Sequence, residues 1–271
     1  MAGWRSWTLA LILLAALPLA NAADTWEVHP EWAPLFAAQG LGAGTMLVYD
    51  EQAGRYQVLD RKRAETAFAP ASTFKICNAL VALETGVVKD EHETFRWDGK
   101  KRWLDVWNRD HDLASGMQYS VVWFYQELAR RIGRERMQEW VSRAGYGNRD
   151  ISGEIDTFWL GQGGLKISAV QQIDFLRRLA DGRLPFSARS QDIVRRVTIV
   201  DATDAYAMHA KTGWKKVAGE TDLGWYVGWV ERDKRRWFFA LNVDLHKDDD
   251  AAKRVPLARE ILVQVGALPK P

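Results

Sequence analysis

The chain has 271 residues, 27% charged and 47% hydrophobic, with a formal net charge of +2. This is ordinary globular composition, enough for a large core, and the near-neutral balance argues against a nucleic-acid partner or a membrane-surface field. A single cysteine, Cys77, excludes an intramolecular disulfide and a thiolate zinc cluster, and five scattered histidines form no dense ligand pattern, so no metal is expected.

Residues 1–22 read as a secretory signal peptide. Arg5 supplies the positive start, residues 8–20 the apolar run, and Ala20-Asn21-Ala22 the cleavage site. The run is too short for a comfortable membrane span. The mature protein is therefore expected to be soluble, free of the membrane and exported, and export without disulfides suits a periplasm.

Two β-rich runs, 44–49 and 56–59, flank the polar residues 50–54 and predict a hairpin. Helices are predicted at 72–85, 120–132 and 134–144, each stopped by a glycine: Gly86, Gly133 and Gly145. Ser168-Ala169-Val170-Gln171 is a capping-box start, and the stripe Ile173, Leu176, Leu179 carries that helix on to Gly182. Strands follow at 207–212, 225–231 and 237–245, the last two joined by the polar turn 232–236. A helix at 256–268 closes the chain, with Pro256 in its first turn.

Strands, helices, strands and a helix make an α+β fold. It has a mostly antiparallel sheet flanked by helices, with a helical subdomain inserted. The expected layout is one catalytic domain over 23–271. Its sheet lobe takes about 23–70 and 200–271 and its helical lobe about 71–199, with the site in the cleft between them.

Three short patterns carry chemistry. Ser72-Thr73-Phe74-Lys75 places a hydroxyl and an amine on one helical face, so that Lys75 reaches the Ser72 oxygen. A serine is a weak nucleophile until a neighbouring base takes its proton. Ser120-Val121-Val122 opens a helix, where a serine by itself reads as an N-cap. Lys211-Thr212-Gly213-Trp214 ends a β-like run; the glycine admits a ligand to the strand and the lysine offers a positive charge. Cys77 reads as a packed thiol and Tyr146-Gly147-Asn148 as a turn, with Tyr146 shaping the pocket wall.

Taken in order, S-x-x-K, S-x-V and K-T-G resemble the signature of serine β-lactamases and penicillin-binding proteins. Ser-Val-Val in place of Ser-Asp-Asn, Tyr146-Gly147-Asn148, Phe158-Trp159-Leu160-Gly161 ahead of Lys166-Ile167-Ser168, and Trp214 after K-T-G look like the class D, oxacillinase-type β-lactamases, over about 25–268. Trp107-Asn108-Arg109-Asp110-His111 and Asp150-Ile151-Ser152-Gly153 resemble the branch that includes carbapenem-hydrolysing members.

The resemblance implies a β-lactamase/penicillin-binding transpeptidase fold and an acyl-enzyme formed at Ser72. It implies that Lys75, its charge disfavoured by burial among Phe74, Val122, Leu160 and Trp159, is N-carboxylated by carbon dioxide or bicarbonate and serves as general base in both half-reactions. Trp159 would donate its indole N–H to that carbamate and Val122 would shield it. Ser120 and Lys211 would relay a proton to the departing nitrogen, and the backbone N–H groups of Ser72 and Trp214 would form the oxyanion hole. Ser120, Lys211, Thr212, Gly213 and Arg254 would bind substrate, the arginine taking its carboxylate.

No cofactor beyond that carbon dioxide is implied. The implied substrates are penicillins and, by the branch, carbapenems. Residues 214–223 depart from carbapenem-hydrolysing relatives, being about one residue longer and lacking their arginine, and Cys77 stands where relatives often have proline. The family contains monomers and homodimers. Two other functions share the motifs: a penicillin-binding sensor domain that is acylated without turnover, and a D-Ala-D-Ala carboxypeptidase.

Overall fold

A computed structural model describes residues 24–216 and 218–270. The expected signal segment, residues 1–22, lies outside the described residues. The chain enters through β1 (Thr25–Val28), a 3-10 turn at Pro30–Trp32 and α1 (Ala33–Ala38), then forms the hairpin of β2 (Gly44–Asp50) and β3 (Arg55–Val58). After α2 (Arg61–Glu65) and a 3-10 turn at Ala71–Phe74 come α3 (Lys75–Glu84), α4 (Leu113–Gln118), α5 (Val122–Ile132), α6 (Arg134–Ala144), α7 (Ala169–Ala180) and α8 (Ala188–Val197). Five further elements close the chain: β4 (Ile199–Ala202), β5 (Ala207–Lys215), β6 (Asp222–Arg232) and β7 (Arg235–Leu245) build the rest of the sheet, and α9 (Asp250–Gln264) follows.

The seven strands form one sheet in the order β1-β3-β2-β7-β6-β5-β4. Every neighbouring pair is antiparallel except β1 with β3. Central strands are buried on both faces because side chains alternate between two apolar layers. Leu47, Tyr49, Trp225, Val227, Trp229 and Phe238 join the core beneath α3, α5 and α7. Met46, Val48, Tyr226, Phe239, Leu241 and Val243 pack on the other side with Phe36 of α1 and Leu257, Ile261 and Leu262 of α9. Both faces are thus covered by helices, as the α+β layout expects.

Three helix starts differ from expectation. Ser72 lies in the 3-10 turn, and the α-helix proper begins at Lys75. Ser120 is no N-cap: α5 starts at Val122, and Ser120 sits before it in a left-handed conformation, φ 54°. The C-terminal helix begins at Asp250, six residues ahead of Pro256, which lies inside it. The acidic run supplies that start. Asp250 accepts from the backbone N–H groups of His246 and Lys247 at 3.0 and 3.1 Å and pairs with Lys253 one turn on. Negative charge favours a helix N-terminus, and this outweighs the one internal bond that Pro256 cannot donate. The capping box forms as expected: Ser168 Oγ accepts from Gln171 N–H and Gln171 Oε1 from Ser168 N–H.

Candidate active site

The turn before α3 presents Ser72. Ala71 ahead of it is held at φ 48°, a left-handed conformation that costs a non-glycine residue energy and needs bracing. The Thr73 hydroxyl provides it, donating to Pro70 O at 2.7 Å while accepting from Gln172 Nε2 at 2.7 Å. From the other side, β5 presses close: a Cβ added at Gly213 would sit 3.0 Å from Pro70 O and 3.1 Å from Thr73 Cγ2. The glycine of K-T-G therefore lets the strand backbone lie against the turn that carries the nucleophile.

Lys75 is wholly buried, and its Nζ donates to Ser72 Oγ at 2.6 Å. The walls around it are aromatic, with the Phe74 and Trp159 rings 5.5 Å apart and the Tyr125 ring 5.5 Å from Nζ. Burial in this setting, and secondarily the charge of Lys211, holds the Lys75 amine well below its ordinary pKa. A neutral amine is a base, and it is also a group that carbon dioxide can carboxylate. Trp159 is fully buried, and its Nε1 has no hydrogen-bond partner among the described residues. An orphaned buried donor is costly. A carbamate oxygen on Lys75 suits it in kind, since an indole can only donate. Val122 is half-buried and lines the cavity beside Ser120.

Lys211 comes from the middle of β5 and reaches Ser120, donating to its Oγ at 2.8 Å and to Thr212 O at 3.0 Å. Burial first, and then the neighbouring charge of Arg254, lowers the Lys211 pKa to about 7. Arg254 reaches in from α9. It donates from Nε to Ala251 O at 2.6 Å, and from its terminal nitrogen to Gly213 O and Trp225 O. Burial lowers its pKa to about 10, so it stays charged at neutral pH. No carboxylate pairs with it among the described residues, which leaves its charge for a ligand.

Ser72, Ser120, Thr212, Gly213, Trp214 and Arg254 line one cavity of about 840 Å³ between the sheet and the inserted helices. Lys75 and Lys211 stand just behind it, each bonded to one of the lining serines. Tyr146 does not shape the cavity wall as expected. It is buried behind Phe74, the ring centroids 5.4 Å apart. Cys77 is buried, and its burial pushes the thiol pKa up, as a packed and unreactive side chain requires.

The cavity has walls that the three motifs do not announce. Trp103, Leu104, Trp107 and Tyr119 form its side on the helical insertion. Lys216 and Asp248 meet at its mouth in an ion pair of 2.5 Å. The only sequence signal for the aromatic side is tryptophan density: Trp97, Trp103, Trp107 and Trp123 fall within 27 residues.

Comparison with known proteins bears on this geometry. A model of the penicillin binding protein transpeptidase domain matches residues 44–263. Beta-lactamase OXA-48 of Klebsiella pneumoniae is 43% identical over 261 residues, which cover 96% of this chain and 97% of that protein. Beta-lactamase OXA-10 of Pseudomonas aeruginosa is 38% identical over 258 residues, 94% of this chain and 95% of that one. Among solved structures, the class D beta-lactamase YbXI from Nostoc superposes with a TM-score of 0.84 at 41% identity, covering 88% of this chain and 99% of that chain.

Proposed function

The chain belongs to the class D, OXA-type β-lactamases, and from that premise we propose that it hydrolyses penicillins through an acyl-enzyme at Ser72, with N-carboxylated Lys75 as general base. The observation that carries the reading is the pairing of Ser72 Oγ with a wholly buried amine at 2.6 Å. A charged ammonium could not take a proton; the site disfavours that charge.

Arg254 and Thr212 take the carboxylate of the β-lactam and set its ring over Ser72. Carboxylated, Lys75 supplies a base of carboxylate type, for Ser72 first and for water afterwards. Ser72 Oγ bonds to the lactam carbonyl carbon as its proton leaves toward Lys75. The carbonyl oxygen, gaining charge, rests on the backbone N–H groups of Ser72 and Trp214. The C–N bond then breaks, and the nitrogen takes a proton through Ser120, whose hydroxyl Lys211 recharges. The base then hands the proton it took from Ser72 back to Lys211, which gave one up. Water attacks the ester as the freed base takes one of its protons. The C–O bond to Ser72 breaks as the base returns that proton to Ser72 Oγ, and the new carboxylic acid releases its remaining proton to solvent. Trp159 holds the base in place by its indole N–H, and Val122 limits the water around it.

The same reading includes export: residues 1–22 direct the chain out, and residues 23–271 meet β-lactams in the periplasm as one catalytic domain. The test is hydrolysis of a penicillin, a cephalosporin and a carbapenem, with intact-mass analysis of the quenched protein. Turnover, with a transient adduct lost in Ser72→Ala, supports the proposal. A stable adduct without turnover would instead make the protein a sensor.

A further inference from the structure

Apolar side chains left in water and gathered at a cavity mark a surface that something else covers. Among the described residues five large hydrophobic side chains are exposed. Two of them, Trp103 at 72% and Tyr119 at 36%, line the cavity that holds Ser72.

Trp103 is not a loose loop residue. On one side of it, Arg102 N–H donates to Asn108 Oδ1 at 2.7 Å, and Asn108 Nδ2 returns a bond to Arg102 O at 3.0 Å. The Arg102 guanidinium forks onto Asp98 at 2.7 and 2.9 Å. The Trp103 ring stands edge-on to Trp107, centroids 5.7 Å apart at 66°. Trp107 is itself pinned: its Nε1 donates to Tyr119 O at 2.9 Å, and its carbonyl accepts from Trp123 Nε1 at 2.8 Å. An aromatic surface fixed in this way loses little freedom when a ligand stacks on it. The exposed indole therefore has the marks of a prepared contact.

The chemistry of the ligand follows from the opposite ends of a penicillin. Its carboxylate and its acylamino side chain leave the bicyclic nucleus on opposite sides. With the carboxylate held by Thr212 of β5 and Arg254 of α9, and the lactam carbonyl at Ser72, the acyl side chain extends away from Arg254. We propose that Trp103 is a specificity-determining residue, a platform on which an aromatic group of that acyl side chain stacks. This rests on the β-lactamase reading above.

The test compares oxacillin, which carries an aromatic acyl group, with 6-aminopenicillanic acid, the same nucleus without one. The quantity read is the ratio of kcat/KM for the two, in the unaltered protein, Trp103→Ala and Trp103→Phe. An aromatic contact of ordinary strength predicts that Trp103→Ala lowers the ratio by about fivefold to tenfold. Trp103→Phe, which keeps a ring, should retain most of it. An unchanged ratio in Trp103→Ala, or equal losses on both substrates, overturns the proposal. If the unaltered protein opens neither penicillin, the β-lactamase reading itself falls.

Discussion

Lys211 donates to the hydroxyl of Ser120 across 2.8 Å, and this bond ties the middle of β5 to the turn just ahead of α5. It also accounts for the backbone at Ser120. A left-handed serine, φ 54°, turns its hydroxyl from the helix start toward the strand. The arrangement has a pH consequence. Burial and Arg254 lower the Lys211 pKa to about 7, so the amine is charged below that pH and neutral above it. As the proton source behind Ser120, it should make kcat/KM fall as pH rises through about 7. In kcat the same limb should move upward, because a bound carboxylate favours the charged amine. Lys211→Arg, which stays charged, should lack the limb even if it is slower. Full pH–rate profiles with one penicillin check this.

Trp159 should matter through its nitrogen more than through its bulk. Trp159→Phe keeps an aromatic ring beside Phe74 and removes a donor that has no partner among the described residues. A hydrogen bond to a charged group contributes about 1.5–3 kcal/mol, so the bicarbonate concentration giving half-maximal activity should rise roughly tenfold to a hundredfold. Activity titrations with bicarbonate read this directly. An unshifted titration would assign Trp159 to the core alone.

Gly224 on β6 should act on substrate through Arg254. A Cβ there would lie 2.6 Å from Arg254 Cδ and 3.1 Å from Leu245, so Gly224→Ala must displace the arginine. The expected result is a KM for penicillins raised by about tenfold with kcat little changed, the pattern of a lost binding contact. Arg254→Ala should change KM in the same direction and further. Steady-state kinetics with both variants checks it.

Much of the site was legible because its chemistry sits in short patterns with fixed geometry. One helical turn is enough to bring Lys75 to Ser72, and the glycine of K-T-G marks where β5 meets the turn before α3. Runs of β-forming residues on either side of polar turns mark the hairpin and the long strands. What escaped was what tertiary contacts decide. By itself Ser120 reads as a helix cap, and only the family resemblance points to another role; the helix start at Val122 and the bond to Lys211, ninety-one residues on, show that it caps nothing. Pro256 reads as a helix start, whereas the charges around Asp250 set the start earlier. β1, β4 and α2 are four, four and five residues long, too short to show a period. Trp103 has no motif at all, and its interest lies in being exposed at a cavity that the sequence does not draw.

The central claim is that Lys75 works as a carbon-dioxide adduct, and bicarbonate dependence tests it most directly. The protein is freed of carbon dioxide at acid pH, returned to neutral degassed buffer, and assayed on a penicillin before and after adding bicarbonate. General-base catalysis contributes about a hundredfold to ten-thousandfold, so activity should fall by that order and return with bicarbonate, while Lys75→Ala stays inactive in both. Full activity in the degassed buffer, unchanged by bicarbonate, would contradict the account and leave the plain amine of Lys75 as the base.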